Sequence, residues 1–246
     1  MKNILVIGDS CRDIFVYCDA HRLCPDVPVP VLNASYQTEN KGMSLNVQEN
    51  IKALGQPCGI HTNSNWHDVT KTRYVHTTSN HAFFRVDSSI KPERMMSCPS
   101  LLYGMIVISD YDKGFLKEED IAAICSMHEN VFVDTKKRLG PWLNGARYIK
   151  INALEYMASK EFITPELKDK IIVTLGKDGC EHRDHIYPVQ QSDVRDVSGA
   201  GDTFLAGLCV KYLQTSDIEE SIMFANRCAA SVVKHRGVTV VDPNEI

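Results

Sequence analysis

The sequence predicts an α/β fold with a mainly parallel sheet covered by helices on both faces. Three observations carry that prediction. Short β-branched runs recur along the chain, helical stretches lie between them, and the last third is helical almost throughout. NILVIG at 3–8 is an apolar run closed by glycine, the form of a strand buried on both faces. SLNVQENIKALG at 44–55 spaces Leu45, Ile51 and Leu54 as one face of a helix and ends on a glycine suited to a C-terminal cap. YGMIVIS at 103–109, VFVD at 131–134, RYIKIN at 147–152 and KIIVTLG at 170–176 read as further strands. Residues 117–128 and 153–160 read as the helices between them, and 199–213 and 218–235 as the C-terminal pair.

Two segments break this rhythm. CPDVPVPVLNASYQ at 24–37 alternates valine with proline, which suits an exposed edge strand. TKTRYVHTTSNHAFFRVDSS at 70–89 reads as a hairpin around TTSN. Together they predict a small β lid, over about 11–40 and 70–89, projecting from one domain that spans 1–246. A formal charge of −4 gives no electrostatic ground for nucleic acid or an anionic membrane as partner. The N-terminal apolar run is short for a signal peptide, and no stretch reaches bilayer-spanning length. Nine scattered cysteines without a C-x-x-C pair read as reduced thiols, so the expected setting is cytoplasmic.

The segment DVSGAGDTFLAGL at 196–208 carries the chemistry. Gly199, Ala200 and Gly201 remove side chains where a helix starts, so its unpaired N–H groups and dipole can meet an anion closely. Asp202 then falls on the first turn. A carboxylate beside a phosphate hinders simple binding, yet it suits a base that takes the proton of an attacking hydroxyl. A glycine-rich turn with Asp202 serving the helix dipole is the plain structural alternative.

The whole string resembles the signature D-x-x-G-A-G-D-x-F-x-x-G of the ribokinase-like (PfkB) carbohydrate kinases, which implies a three-layer α/β/α fold, ATP and Mg²⁺. The resemblance implies Asn152 and Glu155 of NALE as holders of Mg²⁺, partly through water; Asn152 as a helix N-cap is an equal reading. It further implies Thr174 and Gly176 of TLGKDG, and Asn226 of ANRCAAS, along the nucleotide. GDSCRDIFVYCDAHRLCPDVPVPVLN at 8–33 is similar to the opening of heptose-7-phosphate kinases, the kinase half of bifunctional ADP-heptose synthesis proteins. TKTR, FRVD, SDYDKG and VDTK resemble that subgroup in order. On this basis Asp13, Gly42 and Asn46 are expected at the sugar. Lys71, Arg73 and Arg85 suit a substrate that already carries a phosphate. Lys113 and Lys136 follow strands where they could neutralise ATP phosphates.

Two departures fall on the sugar side. KGMSLN at 41–46 has Met43 where the family places a second glycine, and the connection from Gly55 to Trp66 is short where relatives insert strands and a helix. The expected activity is phosphorylation of the anomeric hydroxyl of a heptose 7-phosphate or similar sugar phosphate. The alternatives are a kinase for another sugar and a non-catalytic nucleotide- or sugar-binding descendant. A dinucleotide-binding oxidoreductase is distant, since VIGDSCRD lacks G-x-G-x-x-G. The resemblance also implies a homodimer joined through the lid and a separate nucleotidyltransferase acting downstream, because no such segment follows Ile246.

Overall fold

The computed structural model describes residues 3–190 and 193–246. In chain order the elements are β1 (Ile4–Gly8), β2 (Ser10–Leu23), β3 (Pro30–Met43), α1 (Ser44–Ala53), β4 (Cys58–His61), β5 (Thr70–His76) and β6 (Ala82–Asp87). There follow β7 (Met105–Asp110), α2 (Glu118–Met127), β8 (Val131–Thr135), β9 (Tyr148–Asn152), α3 (Ala153–Ser159) and α4 (Pro165–Lys168). The chain closes with β10 (Ile171–Thr174), β11 (Cys180–His182), β12 (His185–Tyr187), α5 (Ala200–Thr215) and α6 (Ile218–Val232). The eight-stranded sheet runs β12-β11-β10-β9-β8-β7-β1-β4. It is parallel from β10 to β4, with β11 and β12 antiparallel at the other edge.

The period-two alternation of the buried strands sorts side chains into two cores. Leu5, Ile7, Ile106 and Ile108 face Leu116, Ile121 and Ile124 on the α2 side. Ile4, Val6, Met105 and Val107 face Val47, Ile51, Phe204, Leu205 and Leu208 of α1 and α5. The result is the expected helix–sheet–helix sandwich. Gly8 ends β1 because backbone approaches too closely for a side chain: a Cβ there would lie 1.8 Å from the Ser109 carbonyl oxygen. α6 starts where Asp217 accepts hydrogen bonds from the N–H groups of Glu219 and Glu220, at 2.9 and 3.0 Å.

A second, four-stranded sheet has the order β3-β2-β5-β6. Its long β2–β3 hairpin pairs Ser10 with Met43 at one end and Leu23 with Pro30 at the other. β2 was not foreseen as a strand, because Ile14, Phe15, Val16 and Tyr17 put apolar side chains on both faces and blur the alternation. The Val-Pro segment corrects likewise: its strand starts only at Pro30, where proline no longer recurs, and lies at the sheet edge. The connection after Gly55 holds an unforeseen strand as well, β4, and β11 and β12 form an unforeseen pair. The helix expected to reach 235 ends at Val232. Among the described residues no helix is long and apolar enough to cross a membrane. All nine cysteines are free, six of them buried.

Candidate active site

The parallel strands end at a cleft of about 980 Å³ beneath the N-terminus of α5. This is where an open α/β sheet gathers its loops and bare helix ends. Gly199, at φ 81°, turns the chain into α5. A side chain there would press on Asn46 Nδ2 and Val238, and one at Gly201 would meet Lys150 Nζ at 3.1 Å. The bare backbone therefore gives one ammonium direct access to the anion-binding end of the helix. Asp196, at the start of the signature, accepts from the N–H groups of Ser198 (2.9 Å) and Gly237 (3.0 Å) and from Asn80 Nδ2 (3.1 Å). The turn between β5 and β6 is thereby tied to the signature loop and to the C-terminal segment. Arg236 reinforces it with hydrogen bonds to the Thr77 and Thr78 carbonyls.

Asp202 is buried, with both carboxylate oxygens engaged. Oδ2 accepts from Asn46 Nδ2 at 2.9 Å and Oδ1 from the Tyr111 hydroxyl at 2.5 Å. Burial pushes its pKa above the usual carboxylate value, and the two hydrogen bonds offset part of that rise. Asn46 is itself fixed. Asn50 Nδ2 donates to Asn46 Oδ1 at 3.1 Å, and Asn50 Oδ1 accepts from Thr203 Oγ1 (3.1 Å) and the Val241 N–H (2.9 Å).

Behind Asp202 lies a ladder of buried charge. Asp134 accepts from Lys150 Nζ at 2.7 Å and from Lys136 Nζ at 3.4 Å, and Lys136 also reaches Glu155 at 2.7 Å. Burial pushes the Asp134 carboxyl up, but Lys150 and Lys136 outweigh it and hold the pKa below the usual range. Lys136 shows the converse: burial works against its charge, while Asp134 and Glu155 raise its pKa above the usual lysine value. Tyr111, Asp134 and Lys150 were not singled out from the sequence. The signal that could have found the last two is a charge set inside an otherwise apolar buried strand, VFVDT and YIKIN.

Asn152 and Glu155 form a reciprocal cap on α3. Glu155 accepts from the Asn152 N–H (2.8 Å) and Nδ2 (2.7 Å), while Asn152 Oδ1 accepts from the Glu155 N–H (2.9 Å). With Lys136 also on Glu155, this carboxylate is fully partnered. Among the described residues no cluster of three or more acidic, His or Cys groups could hold a metal unaided. The oxygen donors suit Mg²⁺ only in the mode in which phosphates and waters supply most ligands. Thr174 and Gly176 line the cleft, as does Asn226, whose Nδ2 donates to the Tyr187 carbonyl at 2.9 Å. Lys113 lies exposed on the turn after β7, outside the cleft lining.

Most residues expected at the acceptor lie on the four-stranded sheet. Asp13 and Lys71 are cross-strand partners, Arg73 ion-pairs with Asp13, and Arg85 stands opposite Arg73. Burial pushes the Asp13 carboxyl up, more than Arg73 and Lys71 pull it down. Arg85 is exposed and paired with Asp87 at 2.7 Å, so it stands apart from the buried group. Gly42 is buried opposite Cys11. Met43 is buried too, at φ 64° and ψ −130°, a backbone conformation that side chains rarely adopt. It packs with Cys11 and Val69, and Tyr111 leans on that cluster.

Known proteins share this architecture. The pattern of the pfkB family carbohydrate kinases matches residues 149–245. The bifunctional protein HldE of Helicobacter pylori strain J99 is 27% identical over 304 aligned positions, covering 100% of this chain and 66% of that protein. HldE of a Nitratiruptor species is 27% identical over 99% of this chain and 64% of its own length. The chain thus spans just under two thirds of these relatives, and gaps make the first alignment longer than the 246 residues present. Among solved structures, Thermotoga maritima ribokinase superposes with a TM-score of 0.73 at 15% identity, covering 98% of this chain and 97% of that one. The nucleoside kinase of Methanocaldococcus jannaschii, an archaeal member of the ribokinase family, gives 0.72 at 15% identity over 99% and 94%. From strand order to signature, this chain has the ribokinase fold, and its residues 149–245 are similar to the pfkB family carbohydrate kinases.

Proposed function

We propose that the protein is an ATP-dependent sugar kinase that phosphorylates the anomeric hydroxyl of a heptose 7-phosphate or a close analogue. The observation that carries this reading is Asp202, a buried carboxylate on the first turn of a helix whose bare N-terminus opens into the cleft. The acceptor hydroxyl donates to Asp202, which takes the proton as the oxygen attacks the γ-phosphorus in line. The Gly199, Ala200 and Gly201 N–H groups hold the charge on the transferring phosphoryl group, with Lys150 beside them. Lys136 reaches the phosphates from the floor of the cleft, and Thr174, Gly176 and Asn226 flank the nucleotide. When bound, Mg²⁺ supplies further charge neutralisation, and Asn152 and Glu155 would hold it through water. Asp13 orients sugar hydroxyls, and Lys71, Arg73 and Arg85 take the phosphate already on the substrate.

The four-stranded sheet serves as a lid over the acceptor. Its outer face exposes Phe84 and Val86, an apolar pair that fits a homodimer joined lid to lid. A monomer by light scattering at assay concentrations would remove that part of the reading. The resemblance to HldE also suggests that a nucleotidyltransferase uses the product. One observation favours a second substrate choice. Met43 fills space beside Cys11 and Tyr111 with an apolar side chain, which fits a kinase for a different sugar.

The test is ADP release from Mg-ATP against sugar 7-phosphates, other sugar phosphates and free sugars. Asp202→Asn should cut turnover by about 10²–10⁴-fold while leaving ATP affinity nearly unchanged. Turnover with another sugar alone would move the substrate and keep the mechanism. ATP binding without turnover on any acceptor would make this a binding protein.

A further inference from the structure

Tyr111 is placed unlike an ordinary lining residue. Its hydroxyl donates to Asp202 Oδ1 at 2.5 Å, the length of a strong charge-assisted hydrogen bond. Its ring is within cation–π reach of two ammonium groups, Lys71 of the four-stranded sheet at 4.9 Å and Lys136 of the cleft at 5.4 Å. It therefore stands at the seam between the acceptor side and the nucleotide side. The other donor to Asp202, Asn46, is buried and locked by Asn50, so it cannot leave. Asp202 is buried at the cleft wall with one donor on each oxygen, so the phenol stands on the carboxylate oxygen that the locked Asn46 leaves to an incoming hydroxyl. The Tyr111 backbone is pinned, because Asp9 accepts from its N–H at 2.7 Å and from the Phe115 N–H at 3.2 Å. What can move is the side chain, beside a turn whose residues Asp112, Lys113 and Gly114 are exposed.

We propose that Tyr111 guards the base: with no acceptor bound, its hydroxyl occupies the position on Asp202 that an acceptor hydroxyl must take, and so keeps water from being phosphorylated. This rests on the kinase reading above. In the reaction that Tyr111 prevents, water donates its proton to Asp202 and its oxygen bonds to the γ-phosphorus of ATP. The bond from that phosphorus to the β–γ bridging oxygen breaks, ADP and inorganic phosphate leave, and Asp202 releases the proton to solvent. The sugar displaces the phenol by offering the same kind of donor, while water must compete against a donor already in place.

The experiment compares the wild type, Tyr111→Phe, and Tyr111→Phe combined with Asp202→Asn, each with Mg-ATP and no sugar. ADP release is measured alongside ATP affinity by calorimetry. Phenylalanine keeps the ring on the Cys11, Met43 and Val69 cluster and removes only the hydroxyl. Loss of one hydrogen bond to a charged group predicts sugar-independent ADP release raised on the order of tenfold. The rise should vanish in the double variant, with ATP affinity unchanged throughout. Unchanged or lower ADP release with ATP affinity intact would overturn the guard and leave the kinase reading standing. Failure of the wild type to bind ATP would remove the kinase reading and the guard together.

Discussion

The floor of the cleft and the four-stranded sheet both carry dense charge, but they hold it differently. In the cleft Asp134, Lys150 and Asp202 are buried, and each is fixed by at least one charged or hydrogen-bonded partner. On the sheet only Asp13 is buried, its partner Arg73 is partly exposed, and the Arg85–Asp87 and Arg12–Glu39 pairs face solvent. A buried charge ladder costs desolvation and is retained where a fixed field is useful, as at a transferring phosphoryl group. A rim of loosely held arginines suits a ligand that arrives and leaves with its own charge. The difference fits the proposed division between an anchored nucleotide end and an adaptable acceptor end.

The hardest test of that contrast is Lys150→Met. It keeps much of the side-chain volume but leaves Asp134 buried with only the more distant Lys136. Breaking a buried pair from one side costs about 3–5 kcal/mol, and Lys136 should hold the loss near the lower figure. A drop of about 3 kcal/mol in urea unfolding would bear out the anchored floor. A loss below about 1 kcal/mol would place this pair with surface pairs and break the comparison.

Met43 tests the seam between the two regions. At φ 64° glycine would relieve backbone strain of about 1–3 kcal/mol. Removing a buried methionine side chain forfeits about 2–5 kcal/mol. Glycine also gives the unfolded chain more freedom to lose, so packing wins. Met43→Gly should lower stability by about 2 kcal/mol even though it restores the residue the backbone prefers. A stabilised variant in thermal unfolding would show that Met43 is held by strain alone and does not help to build the wall under Tyr111.

The same contrast governs what was legible in the sequence. The sandwich could be read because fully buried strands announce themselves as apolar runs, and the candidate site at the start of α5 because Gly199 to Asp202 crowds bare backbone against a carboxylate. Asn46 was expected at the sugar; that it also donates to Asp202 was not legible, since helix spacing shows a face and not what that face meets. Tyr111 escaped for a related reason. Nothing local to SDYDKG tells that the ring crosses from β7 to the start of α5, a contact between residues 91 apart in sequence. The sheet strands were blurred wherever apolar residues lie on both faces, as in β2.

Arg85 offers the finest distinction. Its guanidinium is exposed and bonded to Asp87 on its own strand, two residues away. Exposed pairs of this kind contribute about 0–1 kcal/mol, so Arg85→Ala should leave unfolding within about 0.5 kcal/mol of wild type. If the arginines of the sheet receive the phosphate of the acceptor, the same variant should raise KM for a sugar phosphate several-fold and leave KM for ATP alone. The KM of an unphosphorylated sugar should not move either. Arg73→Ala is the internal control: it strips Asp13 of its partner, so it should damage both stability and acceptor binding. A KM unchanged in Arg85→Ala, with stability also unchanged, would confine phosphate recognition to Lys71 and Arg73 and leave Arg85 to the solvated outer strand.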